Sequence, residues 1–131
     1  MAEKTILVID DDIDLVEIIR VTLENQGFKV IDAQTGERGL AMAKEQRPDL
    51  ILLDVMMGKV DEGFHVAYEL RSDDTTAETP ILMLTAVTDQ TGFDFDPGRD
   101  KDFLPVNEFL AKPVSPRMLV DMVRKHLPTS V

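Results

Sequence analysis

Short runs of apolar residues alternate with amphipathic stretches along the whole chain. A run without polar interruptions is typical of a strand buried on both faces, as in a parallel sheet. The pattern therefore predicts four strands and a weaker fifth one, at residues 6–9, 28–31, 50–53, 81–84 and 108–111.

The stretches that follow the first and second runs predict helices. Asp12 or Asp14 caps the first helix, and Gly27 ends it. Its apolar residues recur at helical spacing, which predicts a stripe made of Leu15, Ile18, Ile19 and Leu23. Thr35 is the predicted N-cap of the second helix, which stops near residue 46 because Pro48 prevents its continuation.

Two further helices complete the pattern. Residues 64–71 predict a short third helix, and Ser115 followed by Pro116 marks the start of the last one. The predicted buried stripe of that last helix is Leu119, Met122, Val123 and Leu127. Strands that alternate with helices imply right-handed crossovers and a parallel sheet, so we predict an α/β fold. With 131 residues and no repeat or linker, the chain is predicted to be one domain over residues 1–131.

Residues 88–106 break this rhythm. A helix is due between the fourth and fifth strands, yet Phe93 and Phe95 alternate with aspartates, Pro97-Gly98 predicts a turn, and Pro105 stops any helix. We predict an irregular segment with at most a turn or two of helix.

Composition narrows the function classes. The net charge is -11, which argues against direct nucleic-acid binding because phosphate contacts need a surface of Lys and Arg. No apolar run is long enough to cross a membrane, and the N-terminus does not resemble a signal peptide. The chain has no cysteine. We expect a cytoplasmic protein without a membrane partner.

Reactive side chains follow the predicted strands. Asp10 and Asp11 follow the first strand, Asp54 the third, Thr85 the fourth and Lys112 the fifth. The carboxyl ends of parallel strands lie at one edge of a sheet, where ligands bind, so neighbouring first and third strands would bring the three aspartates together. Clustered carboxylates repel one another unless a cation intervenes, and Mg²⁺ suits a site of few carboxylates. Asp54 would then accept a phosphoryl group, as carboxylates do in covalent catalysis.

The segments ILVIDDD, LILLDVMM, ILMLTA and FLAKPV resemble the response-regulator receiver family, in order and approximate spacing, over essentially the whole chain. The resemblance implies a flavodoxin-like three-layer sandwich with a five-stranded parallel sheet in the order 2-1-3-4-5 and, here, a fourth helix that is short or irregular. It also implies two-component signalling, in which a histidine kinase or phosphotransfer protein phosphorylates the chain.

The resemblance assigns roles residue by residue. Asp10 and Asp11 would hold Mg²⁺, or Mn²⁺, together with Asp54 and the backbone carbonyl of Met56. Asp54 would be the phosphoacceptor, assisted by Thr85 and Lys112. Thr85 and Phe109 would form the switch, and Lys112-Pro113 matches a peptide bond that is usually cis in the family. The expected output is contact with a downstream protein or a fused output domain, from a monomer or a weak dimer.

The chain departs from the family pattern in three places. After Asp54 the usual proline is absent and the loop over residues 57–63 is longer by one residue. The stretch between Thr85 and Lys112 is also longer, so the surface that partners contact is unusual. Phe109 stands where a tyrosine is frequent, and it lacks that residue's hydroxyl.

Two alternatives remain open. In a haloacid dehalogenase-like phosphatase, Asp10 and Asp12 would form the nucleophile pair, but Asp14 stands where Thr or Val is expected. The other alternative is a degenerate receiver that acts without phosphorylation. The chain is expected to be no enzyme beyond catalysing its own phosphorylation and dephosphorylation. His65 and His126 are interpreted as structural.

Overall fold

One parallel sheet organises the protein. The computed structural model describes residues 4–54, 62–86, 107–112 and 114–127. Within these residues the strands pair in the order β2-β1-β3-β4-β5, as the family resemblance implies. The strands are β1 (Thr5–Ile9), β2 (Lys29–Ala33), β3 (Leu50–Asp54), β4 (Ile81–Ala86) and β5 (Glu108–Lys112).

Four helices lie in the described part of the chain: α1 (Ile13–Glu24), α2 (Gly36–Gln46), α3 (Glu62–Ser72) and α4 (Pro116–His126). Asp12, Thr35 and Ser115 are the N-caps of α1, α2 and α4, and each side chain accepts a hydrogen bond from the backbone nitrogen three residues later. The predicted caps at Thr35 and Ser115 are confirmed, and of the two candidates for α1 the cap is Asp12. Residues 88–106, predicted to be irregular, lie outside the described residues.

The sheet separates two hydrophobic clusters. Alternate residues of the central strands face α1 and α4 on one side and α2 and α3 on the other. Both faces of β1 and β3 are therefore buried, which is why their sequences are continuously apolar. None of the described helices has the length and apolar character needed to span a membrane.

The predicted stripe of α1 is wrong at one position. Ile19 and Leu23 are buried and Leu15 is half-buried, but Ile18 is 54% exposed and Val16 takes its place in the core. An apolar residue at the border of a helical stripe can face either way, because the stripe spans only part of the helix circumference.

The predicted start of β2 is also wrong. Phe28 was expected in the strand, but its backbone nitrogen donates to the carbonyl of Leu23 and so closes the end of α1. Gly27 makes this closure possible with a φ of 93°. The strand therefore begins at Lys29, and the predicted role of Gly27 as the end of the helix is confirmed.

Arg20 of α1 reaches the outer edge of β2. Its Nη1 donates to the carbonyl of Val30 at 2.8 Å, and its Nη2 pairs with the carboxylate of Asp32. The backbone groups of Lys29 and Ala33 form hydrogen bonds with residues of the β1 segment. Successive residues of a parallel strand direct their backbone groups to opposite sides, so those of Val30 point away from the sheet. The guanidinium thus satisfies a carbonyl on the free edge.

Arg71 links segments at the amino ends of the strands, on the opposite edge of the sheet from the predicted site. Its Nη1 donates to the carbonyls of Ala77 at 3.0 Å and Thr79 at 2.7 Å, and its Nη2 donates to Oδ1 of Asn107 at 2.8 Å. Asn107 in turn bonds the backbone of Ile81 in both directions. One side chain therefore links the end of α3, the following loop and the starts of β4 and β5.

Helix α2 approaches β1 closely at Gly39. A Cβ atom at this position would lie 2.5 Å from Cδ1 and 2.8 Å from Cγ1 of Ile9. We expect Gly39→Ala to lower the free energy of unfolding by about 1 kcal/mol, since overpacking costs about 1–3 kcal/mol and the gain in helix propensity offsets about 1 kcal/mol.

In the Ile9→Ala background, we expect Gly39→Ala to stabilise the protein instead of destabilising it. Ile9→Ala removes the side-chain atoms that Gly39→Ala would strike, so there the second substitution should stabilise by up to about 1 kcal/mol through helix propensity. Urea unfolding of the four proteins measures both values. If Gly39→Ala lowered the free energy of unfolding equally in both backgrounds, the added methyl group would not be colliding with Ile9.

Candidate functional site

The pairing of β1 with β3 brings two aspartates side by side. Ile9 is the register partner of Leu53, Asp10 directly follows β1, and Asp54 is the last residue of β3. Both carboxylates are buried, Asp10 completely and Asp54 with 5% exposure. Paired charges in such an environment interact strongly because water screens them poorly.

Asp11 completes a cluster of three carboxylates. It is exposed, and one oxygen each from Asp10, Asp11 and Asp54 can be chosen such that all lie within 4.8 Å of one another. The predicted convergence of these three aspartates is therefore observed. Three negative charges at this separation favour the binding of a cation.

Lys112 extends into this cluster from the end of β5. Its Nζ lies 3.2 Å from Oδ2 of Asp10 and 3.2 Å from Oδ1 of Asp54. Burial lowers the pKa of Lys112, but the charges of Asp54 and Asp10 outweigh that effect, so its pKa is raised above the ordinary value. The lysine is firmly cationic at neutral pH. The sequence identified Lys112 as a phosphate partner but not its bridge between two aspartates.

Asp10 is held by the backbone around it. Its nitrogen donates to the carbonyl of Ala33 at 3.0 Å, and its Oδ1 accepts from the nitrogen of Asp12 at 2.9 Å. Its buried Oδ2 faces Lys112 but makes no hydrogen bond of good geometry with the described residues. A buried carboxylate oxygen without a full set of donors has coordination capacity to spare.

Thr85 and Phe109 lie on the neighbouring strands. Leu84 is the register partner of Asp54, so Thr85 follows one residue later at the same edge of the sheet, and it is half-buried. Phe109 pairs with Met83 and packs, half-buried, on the cluster between the sheet and the α2–α3 layer. Thr85 therefore borders the aspartates, whereas Phe109 lies further back along β5.

Several predictions concern residues outside the described ranges, namely Met56 as a metal ligand, the Lys112-Pro113 peptide and residues 57–61 of the loop predicted over residues 57–63. The last two residues of that predicted loop, Glu62 and Gly63, belong to α3 instead. Neither histidine belongs to the cluster of three carboxylates. His65 is exposed on α3, and Nε2 of His126 lies 3.3 Å from a carboxylate oxygen of Glu108.

The donor set fits Mg²⁺. Mg²⁺ prefers hard oxygen ligands and is usually bound by few carboxylates with water completing the shell. The Asp10, Asp11 and Asp54 oxygens supply such ligands, and Oδ2 of Asp10, which faces Lys112 without a hydrogen bond to the described residues, has lone pairs left for a cation. The exposure of Asp11 leaves the cluster open to solvent on one side.

Similarity to known proteins agrees with this geometry. The regulator RpaA of Synechocystis sp., whose name describes a DNA-binding dual master transcriptional regulator, is 40% identical over 122 residues, covering 91% of this chain and 47% of that protein. The alkaline phosphatase synthesis regulator PhoP of Bacillus subtilis is 41% identical over 114 residues, covering 87% and 44%. The chain spans about half the length of these relatives.

Solved structures show the same architecture. The chemotaxis response regulator CheY4 of Vibrio cholerae superposes with a TM-score of 0.81 at 28% identity, covering 95% of this chain and 99% of that one. The receiver domain of the sensor histidine kinase PA1611 from Pseudomonas aeruginosa has a TM-score of 0.81 at 25% identity, covers 98% and 100%, and holds a magnesium ion in its active-site cleft.

These matches lend no support to the phosphatase alternative or to a receiver that works without phosphorylation. They are named as signalling proteins and transcriptional regulators. Residues 6–124 match the family described as the response regulator receiver domain. The chain belongs to that family.

Proposed function

We propose that Asp54 accepts a phosphoryl group from a phosphohistidine of a sensor histidine kinase or phosphotransfer protein. The observation that carries this proposal is the contact of Lys112 with both Asp10 and Asp54 at the carboxyl edge of the sheet. A carboxylate oxygen of Asp54 attacks phosphorus, the bond from phosphorus to the donor imidazole breaks, and the imidazole nitrogen keeps the electron pair.

Asp10, Asp11 and Asp54 would hold Mg²⁺ or Mn²⁺, with the Met56 carbonyl as a further ligand. When bound, the metal supplies positive charge to the phosphoryl oxygens. The chain's own residues orient the reaction. The backbone bonds of Asp10 fix its carboxylate, and the position of Asp54 at the end of a buried strand limits how far its side chain can turn.

Lys112 is proposed to change partners during the reaction. Its ammonium group pairs with Asp10 and Asp54 before phosphorylation. It would pair with a phosphoryl oxygen afterwards, because a phosphoryl group on Asp54 would lie next to the ammonium group and the lysine side chain is flexible. The Thr85 hydroxyl would donate to another phosphoryl oxygen. Phe109 would then move with Thr85, although without a hydroxyl it can contribute only packing.

The proposed consequence is a change in partner binding. We place the whole receiver in residues 1–131 as a monomer or a weak dimer that signals to a downstream protein or a fused output domain. Any DNA binding would belong to such an output domain, since the net charge of this chain is -11. Its own chemistry is limited to phosphorylation and dephosphorylation of Asp54.

The experiment uses acetyl phosphate as the donor. With Mg²⁺, the wild-type protein should gain one phosphoryl group by intact-mass spectrometry, and Asp54→Asn should gain none because an amide is not a nucleophile here. Asp12→Asn is the matched control. Asp12 caps α1 rather than joining the three-carboxylate cluster, and Asn keeps the cap, so labelling should persist. Undiminished labelling of Asp54→Asn would refute the assignment.

A further inference from the structure

A groove runs between α1 and α4 on the outer surface of the protein. It encloses about 480 Å³. Half-buried Thr22 and Val120 lie within it, and exposed polar side chains border them. The lining, which we call the α1–α4 groove, comprises Thr22, Asn25, Gln26, Pro116, Arg117, Val120, Asp121 and Arg124.

Helix α4 is basic in an acidic protein. It carries Arg117, Arg124 and Lys125 against one acidic residue, Asp121, whereas the whole chain has a net charge of -11. Lys125 is paired with Glu108 at 2.6 Å, so its charge is already partly neutralised. The two arginines of the groove are therefore an unusual concentration of positive charge on this surface.

The charged groups of α4 form a regular stripe. Arg117 and Arg124 are seven residues apart, which is two turns and about 10.5 Å along the helix. Gln26 of α1 accepts a hydrogen bond from Arg124 and so orients its guanidinium. Arg117 and Asp121 form no ion pair with the residues that the structure describes. Their charges are thus available to a partner.

Exposed apolar side chains also lie on α1 and α4, outside the lining of the groove itself. Among the described residues, the exposed large hydrophobic side chains are Ile13, Ile18 and Val21 of α1, Met118 of α4, and Tyr68 of α3. All but Tyr68 lie on the two helices that form the groove. Apolar area next to opposite charges is the composition expected of a protein contact surface.

We propose that the α1–α4 groove binds a helix of a downstream protein partner that carries two carboxylates seven residues apart. Such a helix lies along α4 with one carboxylate at Arg117 and the other at Arg124. An apolar side chain between them contacts Val120, and a basic residue faces Asp121. A helix fits because two packed helices leave a groove that a third helix fills by ridge packing.

The α1 side of the groove lies away from the acidic pocket. Thr22, Asn25 and Gln26 lie at the C-terminal end of α1, roughly 15–20 Å along the helix from the acidic pocket. A phosphodonor must reach Asp54 at the other end. The other end of the groove is formed by Pro116 and Arg117 at the start of α4, shortly after Lys112 of the pocket. The proposal concerns binding to the groove and does not depend on the role of Asp54.

The test uses a designed helical peptide of about 18 residues, or five turns. It carries two glutamates seven residues apart, a leucine between them and a lysine placed to face Asp121. Titration into ¹⁵N-labelled protein should shift the amide signals of Thr22, Gln26 and Val120. Arg117→Glu with Arg124→Glu should weaken binding at least about tenfold, and a peptide with lysines in place of glutamates should restore it.

Two controls define the outcome. Arg38→Glu makes an equal charge change per site at an exposed residue of α2, on the opposite face of the sheet from the groove, and should leave peptide binding within about twofold. Amide spectra show whether the arginine variant is folded, and labelling by acetyl phosphate should be unchanged in it. The proposal is overturned if the peptide shifts no groove signal, if Arg38→Glu weakens binding equally, or if the groove residues instead mediate self-association.

Discussion

In the absence of divalent metal, Lys112→Met is expected to lower the free energy of unfolding by about 3 kcal/mol. The lysine lies 3.2 Å from carboxylate oxygens of both Asp10 and Asp54, which are almost fully buried. Without it, the aspartates repel each other in a place that water reaches poorly. Urea unfolding in the presence of a chelator measures the loss, and Lys125→Met serves as the matched control.

Lys125 offers the contrast of an exposed ion pair. It contacts Glu108 at 2.6 Å with 60% of its side chain exposed, so its loss should cost under about 1 kcal/mol. Mg²⁺ should then stabilise Lys112→Met more than wild type, because the uncompensated carboxylates bind it more tightly. Similar losses in the two variants, or equal stabilisation by Mg²⁺, would show that Lys112 does not neutralise the pocket.

The same pair of proteins carries a pH prediction. The folded-state pKa of Lys112 lies above its ordinary value of 10.5, since the charges of Asp54 and Asp10 outweigh the opposing effect of burial. Stability from the charged lysine is therefore fully present below about pH 10.5 and is lost as the pH rises through the folded-state pKa. From neutral pH upwards, the difference in unfolding free energy between wild type and Lys112→Met should narrow in that alkaline range, as urea unfolding at a series of pH values would show.

Arg71→Met is expected to destabilise the protein by about 2–3 kcal/mol. The guanidinium bonds the carbonyls of Ala77 and Thr79 and the side chain of Asn107, and methionine satisfies none of these acceptors. Charged hydrogen bonds of partly buried groups are among the stronger ones, and solvent can replace only some of them. Urea unfolding measures the change.

Arg38→Met is the control for this prediction. Arg38 is exposed on α2, and a surface substitution there should change stability by no more than about 0.5 kcal/mol. Labelling of Asp54 by acetyl phosphate should persist in Arg71→Met under conditions in which it is folded, because Arg71 lies at the amino ends of the strands. A loss no larger than that of Arg38→Met would mean that Arg71 does not hold these segments together.

Much of the fold was predictable because β1 and β3 are buried on both faces. Residues such as Leu7 and Leu52 then have to be apolar whichever face of the sheet their side chains point to, so each strand appears in the sequence as a continuous apolar run. The caps at Thr35 and Ser115 were equally local, since each needs only its own hydroxyl and the next turn of helix. The strand order came from the family resemblance and not from the apolar pattern.

What could not be predicted depends on distant partners. Arg71 and Asn107 are 36 residues apart, and no local pattern indicates that they meet. Phe28 has the apolar character of a strand residue, but a single hydrogen bond to Leu23 assigns its backbone to the end of α1. In the site, the strand ends gave the position of Lys112, whereas its simultaneous contact with Asp10 and Asp54 requires the curvature and register of the sheet.

The guanidinium of Arg20 affects how the protein behaves at high concentration, when molecules meet at the exposed edge of β2. The outward backbone of β2 would otherwise offer a template on which a strand of another molecule could extend the sheet. A strand of another molecule must first displace Arg20 from the carbonyl of Val30, which leaves the arginine charge at the new interface between the two molecules. Arg20 therefore discourages intermolecular β-pairing and aggregation from this side of the domain.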